Sequence, residues 1–219
     1  MRKEIDLLVN YPKSKRNVEE RGNEKTEADR ALARQFGKEF FDGDRRHGYG
    51  GFNYFSRFWQ PVIPTFKEHF GLSAASSVLD IGCAKGFMIH DLSELIPGIT
   101  VKGIDISEYA IENAIEDMRP HVKVGDARAL EFGDDSFDVV IAINTIHNLD
   151  KEDCAQALRE IERVSRGHAY VTVDAYRTEE ERKRMYAWNL TAQTIMHVDE
   201  WKAFFDDVGY TGDYYWFIP

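Results

Sequence analysis

The stretch SSVLDIGCAKGF, residues 76–87, decides the fold. It is a short apolar, β-branched run that ends in an acid, passes through two glycines and opens onto a helical pattern at Phe87–Leu95. Strand, glycine-bearing turn and helix in that order form a place where a ligand can approach the backbone closely and meet free N–H groups at the helix start. From Gly82 the spacing is G-x-A-x-G, with Asp80 two residues before it. The dinucleotide pattern G-x-G-x-x-G would put glycines at 84 and 87, where this chain has Ala84 and Phe87. A nicotinamide oxidoreductase is therefore disfavoured. Taken alone, the turn could be no more than a tight connection.

Outward from this turn the same texture repeats. Strand patterns fall at 99–106, 121–127, 137–146 and 168–176, and helical patterns at Glu108–Met118 and Glu152–Val164. Ser107 stands at an N-cap position and Pro97-Gly98 at a helix stop. Beyond Tyr176 come a charged helix, Glu179–Asn189, a second helix, Asp199–Val208, a stop at Gly209 and one closing strand, Asp213–Ile218. This alternation predicts an α/β protein with a Rossmann-like, mostly parallel, doubly wound sheet. Ligands of such sheets lie beyond the carboxyl ends of the strands. Two of those ends carry further acids. Asp105 can accept from both hydroxyls of a ribose or serve as a helix-start charge, and Asp126 can accept from the amine of an adenine or be a turn acid.

Composition narrows the classes. The 219 residues carry 28 Lys/Arg against 38 Asp/Glu, a net charge of −10, which disfavours a nucleic-acid partner. No apolar run approaches the ~20 residues of a membrane span, and the N-terminus lacks a signal-peptide core, so a cytoplasmic location is expected. Two cysteines, Cys83 and Cys154, make neither a disulfide framework nor a zinc site, and no metal is expected. The charge is uneven: residues 1–71 carry a net +3 and residues 72–219 a net −13. We read 1–71 as a helical or irregular N-terminal extension and lid, with helical spacing over Glu24–Phe41. The core is 72–219, with a cap segment at 177–200.

Three successive strand ends thus carry an acid with a glycine-rich turn, an acid, and Gly-Asp-Ala, at βαβ spacing. With VLDIGCAKGF, GIDIS, VGDARALEF and FDVVIAINTIHNL, the chain resembles the class I S-adenosylmethionine-dependent methyltransferases over about residues 70–176. The likeness is closest to their small-molecule, type 11-like branch. It implies S-adenosylmethionine as cofactor, with S-adenosylhomocysteine as product. It implies Asp80, Gly82, Cys83 and Gly86 around the methionyl portion, Asp105 on the ribose and Ile106 against the adenine. Asp126 and the Ala127 N–H would read the adenine edge, with Asn144 and Thr145 under the methionyl chain. The chain departs from the family pattern at Ala84, where glycine is commonest, and in offering one closing strand where the family has a hairpin. The seventh strand is thus uncertain, and an open edge could pair two copies into a homodimer.

Methyl transfer often needs a base beside the cofactor. His147, after the fourth strand, and Asp174, ending the fifth, are the candidates; the first could instead be a structural histidine and the second a turn acid paired with Arg177. His197 reads as structural. Tyr49, among Gly48, Gly50 and Gly51, is a lid candidate, and Trp188 and Asn189 are wall candidates, against plain packing. Lys13, Lys15, Arg16, Arg45, Arg46 and Arg57 could hold an anionic group or form a solvated face. The expected function is methyl transfer to a small polar metabolite, at oxygen, with a sugar or nucleotide-linked sugar among the acceptors. The alternative is a non-catalytic S-adenosylmethionine-binding module.

Overall fold

A computed structural model describes residues 2–13, 25–50 and 52–219. Glu24, Lys15, Arg16 and Gly51 lie outside the described residues. The elements run α1 (Glu27–Ala33), α2 (Lys38–Asp42), α3 (Ile63–Phe70), β1 (Ser77–Ile81), α4 (Phe87–Leu95), β2 (Thr100–Asp105), α5 (Glu108–Glu112) and β3 (Val122–Val124). They continue with β4 (Val139–Ile143), α6 (Lys151–Val164), β5 (Ala169–Tyr176), α7 (Glu179–Trp188), β6 (Met196–His197), α8 (Val198–Val208) and β7 (Asp213–Phe217). The sheet has seven strands in the order β3-β2-β1-β4-β5, with β6 and β7 both on the outer side of β5. Every pairing is parallel. The chain reverses direction across the sheet between β1 and β4, so the crevice of a doubly wound fold falls at their carboxyl ends.

The two faces of the sheet follow from side-chain alternation along each strand. Leu79, Ile81, Val140, Ala142, Val171 and Val173 face α6 and α8. Val78, Val101, Val139, Ile141 and Tyr170 face α3 and α4. The same period of two aims Asp80, Asp105 and Asp174 toward this second face. Helix α6 forms where Asp150 caps the Asp153 N–H at 2.9 Å and apolar residues recur at 154, 157, 158 and 161. Helix α8 stops at Gly209, with φ 77°.

Three expectations change. The helix read over 108–118 ends at Glu112; a 3₁₀ turn, Glu116–His121, follows, with Pro120 inside it, where a longer α-helix would lack an N–H donor. The helical spacing read over 24–41 breaks at Phe36, φ 48°, into α1 and α2. The closing strand joins β5 directly and in parallel, and its outer edge is covered by the chain's own start. Ile5 N–H donates to Tyr214 O at 3.0 Å, and Tyr214 N–H to Lys3 O at 3.0 Å. The buried Tyr170 hydroxyl secures this strap, accepting from Leu7 N–H at 3.2 Å and donating to Ile5 O at 3.1 Å. The edge that motivated a homodimer is thereby occupied. Among the described residues no helix is long and apolar enough to cross a membrane.

Candidate functional site

The Gly82–Gly86 turn is shaped by its neighbours. Gly82 has φ 78°, and a Cβ there would lie 2.2 Å from Thr145 Oγ1, so the end of β1 touches the end of β4 only because residue 82 is glycine. Four N–H groups of the turn are engaged. Gly82 and Cys83 donate to Ile104 O at 2.8 and 3.0 Å, Ala84 to Asp105 Oδ2 at 2.8 Å and Gly86 to Cys83 O at 2.9 Å. Those four donors are engaged inside the fold, whereas the N–H groups of Lys85 and of the helix start at Phe87 meet no acceptor among the described residues. The Cys83 side chain packs into the core against Gly103, and burial pushes its thiol well up. Ala84 tolerates φ 49° in place of the usual glycine.

Asp105 staples two loops: one oxygen accepts from Ala84 N–H, the other from Ser107 N–H at 2.9 Å. Burial raises its pKa, and those two N–H groups counter the rise. Asp80 is buried and makes no side-chain hydrogen bond among the described residues. Burial, with the charge of Asp105 beside it, pushes its carboxyl up to about 8. Among the described residues neither buried acid pairs with a cation, so a positively charged ligand beside them would favour their ionised forms. Ile106 stands 55% exposed between buried Asp105 and Ser107, a flat apolar surface at the rim of the same acids. On β3, Gly125 N–H donates to Asp105 O at 2.9 Å, which brings Asp126 to the next strand end. Its carboxylate is already held by Arg128, whose Nε lies 3.0 Å from both oxygens and which also reaches Asp153. Those bonds hold Asp126 below the usual carboxylate range. The adjacent Ala127 N–H meets no acceptor among the described residues.

The other half of the crevice is built from β4 and β5. Asn144 ends β4 at φ 52°, its Oδ1 accepting from the Thr172 hydroxyl at 2.9 Å. His147 is buried, and its Nδ1 accepts from the Asp174 N–H at 2.9 Å. That bond puts the ring proton on Nε2, which faces Asp174 Oδ1 at 3.6 Å. Burial lowers the imidazole to about 3, so it stays neutral. With one nitrogen engaged and the other protonated, the ring has no lone pair to offer. This corrects the expectation of His147 as the base. The Asp174 side chain accepts no hydrogen bond among the described residues, and burial raises it to about 7. Among the described residues no ion pair joins it to Arg177; the group facing it is His147.

Aromatic groups close over this acid. Phe217 lies beside Asp174 in register, Trp188 packs on Phe217 with centroids 6.0 Å apart, and Tyr49 stacks on Trp188 at 5.8 Å. The Tyr49 hydroxyl accepts from Leu190 N–H at 2.7 Å and from Thr191 N–H at 3.3 Å, tying the extension to the cap segment. Burial, then the nearby Asp174 charge, raises that hydroxyl to about 12. The Asn189 amide makes two 2.8 Å bonds to the Ala192 backbone and shapes the loop beside Trp188. His197 caps α8. Arg46 pairs with Asp44, and Arg57 lies over Phe55 and Phe58, so both are engaged within the extension. Sequence reasoning missed Lys85 and Asp42, which meet at 2.8 Å, because nothing local links them.

The protein family described as a methyltransferase domain matches residues 72–209. Methyltransferase GfsG of Streptomyces halstedii is 34% identical over 106 residues, covering 45% of this chain and 37% of its own. The 27-O-demethylrifamycin SV methyltransferase of Amycolatopsis mediterranei is 27% identical over 150 residues, covering 63% and 55%. The demethylmenaquinone methyltransferase of a Roseiflexus species is 34% identical over 96 residues, covering 42% and 40%. The chain thus spans between about two fifths and just over half of these relatives' lengths. Among solved structures, the YcgJ protein of Bacillus subtilis aligns with TM-score 0.53 at 24% identity, over 67% of this chain and 66% of its own. The MccD protein gives TM-score 0.53 at 24% identity, over 66% and 68%. At that identity these two speak for the fold. Family match, parallel sheet and paired acids at the ends of β1 and β2 agree: the chain belongs to the methyltransferase domain family, among the class I S-adenosylmethionine-dependent methyltransferases.

Proposed function

We propose that this protein transfers a methyl group from S-adenosylmethionine to a hydroxyl of a small molecule, with Asp174 as general base. The observation that carries the reading is the division of one crevice into a half lined by the neighbouring buried acids Asp80 and Asp105 and a half holding, among the described residues, one unbonded carboxylate under aromatic rings. Asp80 and Asp105 fit the positive charges of the cofactor and its ribose hydroxyls, Ile106 its adenine face, and the Ala127 N–H an adenine ring nitrogen. Asp126 holds spare lone pairs for the adenine amine beside its Arg128 contact. When bound, this cofactor supplies an electrophilic methyl on a positive sulfur, so the protein has only to align the acceptor and take its proton.

Asp174 receives that proton. Its carboxylate, raised to about 7, is a better proton acceptor than an ordinary aspartate and still ionises near neutral pH. His147 is a positioning residue: it holds the Asp174 backbone at Nδ1 and turns its Nε2–H toward the carboxylate. Tyr49 and Trp188 exclude water above it. One relative's name specifies a 27-O-demethyl substrate, which supports oxygen as the acceptor atom. Sugars and nucleotide-linked sugars belong to the acceptor set to be tried. We also propose residues 1–71 as an N-terminal extension and lid over core 72–219, a cytoplasmic location and no metal requirement.

The test is calorimetry with S-adenosylhomocysteine and with NAD, followed by a hydroxyl-bearing metabolite screen read by homocysteine release. Micromolar binding to the first ligand alone, with turnover on a hydroxyl acceptor, is expected. Binding to NAD, or to neither ligand, overturns the reading.

A further inference from the structure

Helices α1 and α2 meet the core at the cap segment, where Arg30 Nε donates to Asn189 O at 3.4 Å and Leu190 joins their apolar cluster, and at two loops beside the glycine turn. Asp42, the last residue of α2, takes Lys85 Nζ at 2.8 Å on each carboxylate oxygen and the Tyr109 hydroxyl at 2.7 Å. Lys85 lies inside the glycine turn between Ala84 and Gly86, and its side chain is 8% exposed against 30% for Asp42. The Tyr109 ring lies 6.0 Å from the same ammonium and packs near Phe41. The Ser107 hydroxyl donates to Phe36 O. Ala84 and Ala110 complete a cluster with Phe36, Phe40 and Phe41. The polar contacts of Asp42 and Phe36 with the core come from residues 85, 107 and 109, on the two loops whose N–H groups converge on the Asp105 carboxylate. A buried ammonium inside a ligand-binding turn demands a partner, and the extension provides it.

We propose that Lys85, Asp42 and Tyr109 form a latch by which residues 27–42 close over the cofactor turn, so that S-adenosylhomocysteine leaves only when the latch opens. Lys85 is here a positioning residue that reads lid closure, and the inference rests on the cofactor reading above. Ligand binding that orders the Asp105-stapled loops also fixes the docking surface of the lid, which makes cofactor loading and lid closure mutually reinforcing. Cofactor then binds first and product release is gated by the extension.

The experiment measures S-adenosylhomocysteine dissociation from the full chain by surface plasmon resonance, for the parent, Asp42→Asn, Lys85→Met, the double variant and Lys85→Arg. The two single variants should each release the ligand about tenfold faster, a loss in the range of one charged hydrogen bond. The double variant should do no more than either single one, and Lys85→Arg should stay within about twofold of the parent. Trypsin should cut at Arg34, Lys38, Arg45 or Arg46 faster in Asp42→Asn, with the ligand protecting the parent. Should Lys85→Met fail to fold, the near-isosteric Asp42→Asn carries the test alone. An unchanged dissociation rate in Asp42→Asn overturns the latch, as does full additivity in the double variant. Absence of any S-adenosylhomocysteine binding by the parent instead overturns the cofactor reading.

Discussion

The crevice has two halves of different construction. At the ends of β1, β2 and β3 the acids come one per βα unit, at positions 80, 105 and 126, and Asp105 is stapled by two backbone N–H groups. At the ends of β4 and β5 the groups come from residues 49, 147, 174, 188 and 217, and the carboxylate of Asp174 is left without a hydrogen-bond donor. The first half is made rigid by its own loops. The second is assembled from distant pieces that meet only around the acid they enclose. A half that binds one fixed cofactor can be local and stiff; a half that must admit and deprotonate an acceptor keeps its reactive group unspent.

The largest expected effect tests this division directly. Asp174→Asn should lower turnover by about 10²–10⁴-fold while the calorimetric affinity for S-adenosylhomocysteine stays within about twofold. An equal fall in both would show that the halves are one unit. Next, Asp105→Ala should weaken S-adenosylhomocysteine by about 10- to 100-fold, because it removes an acceptor of charge-assisted bonds worth about 1.5–3 kcal/mol. Unchanged affinity there would remove the ribose assignment.

Three pH measurements sharpen the contrast. Asp80 and Asp174 are raised to about 8 and about 7, so the folded protein holds more protons than the unfolded chain between about pH 4 and pH 8. Their contribution to stability is complete below the ordinary aspartate pKa and is lost as pH rises through the folded values. The ligand-free protein should therefore melt at lower temperature at pH 9 than at pH 6, and Asp80→Asn with Asp174→Asn should flatten that slope. Ligand binding should release a proton near pH 7, seen as a buffer-dependent calorimetric heat, and Asp80→Asn should abolish it. For catalysis, kcat/KM should rise with pH through about 7. His147→Gln should slow turnover about tenfold and move that limb upward, since it removes the N–H that faces the carboxylate. A limb unmoved by His147→Gln would take the positioning role away from it.

The smallest effect concerns Ala84. Its φ of 49° is strained for alanine, yet its methyl packs against the phenylalanines of the extension. Ala84→Gly should change stability by less than about 1 kcal/mol in a denaturant titration, strain relief offsetting lost packing.

The donor half was legible because its groups are tied to local grammar. The run VLDIGCAKGF sets strand, turn and helix within ten residues, and GIDIS and VGDA repeat the strand-end acid at one βα unit's distance. What sequence reading could not see there was that neighbours engage the N–H groups of Gly82, Cys83, Ala84 and Gly86, and that Arg128 holds the Asp126 carboxylate. In the acceptor half, chemistry-bearing residues were found but their roles were not. His147 looked like a base until its Nδ1 met the Asp174 amide, and the loop-shaping bonds of Asn189 to Ala192 had no signal in the sequence.

Hydrophobic periodicity and turn chemistry are nearest-neighbour properties, so the amino-acid order alone determined the parallel α/β sheet, the strand ends and the acids placed there. Hydrogen-bond ownership is a property of groups brought together from far along the chain. Only the tertiary structure could therefore decide that residues 3–5 seal the edge of β7, that Lys85 turns toward Asp42, and that Asp174 rather than His147 keeps a free lone pair.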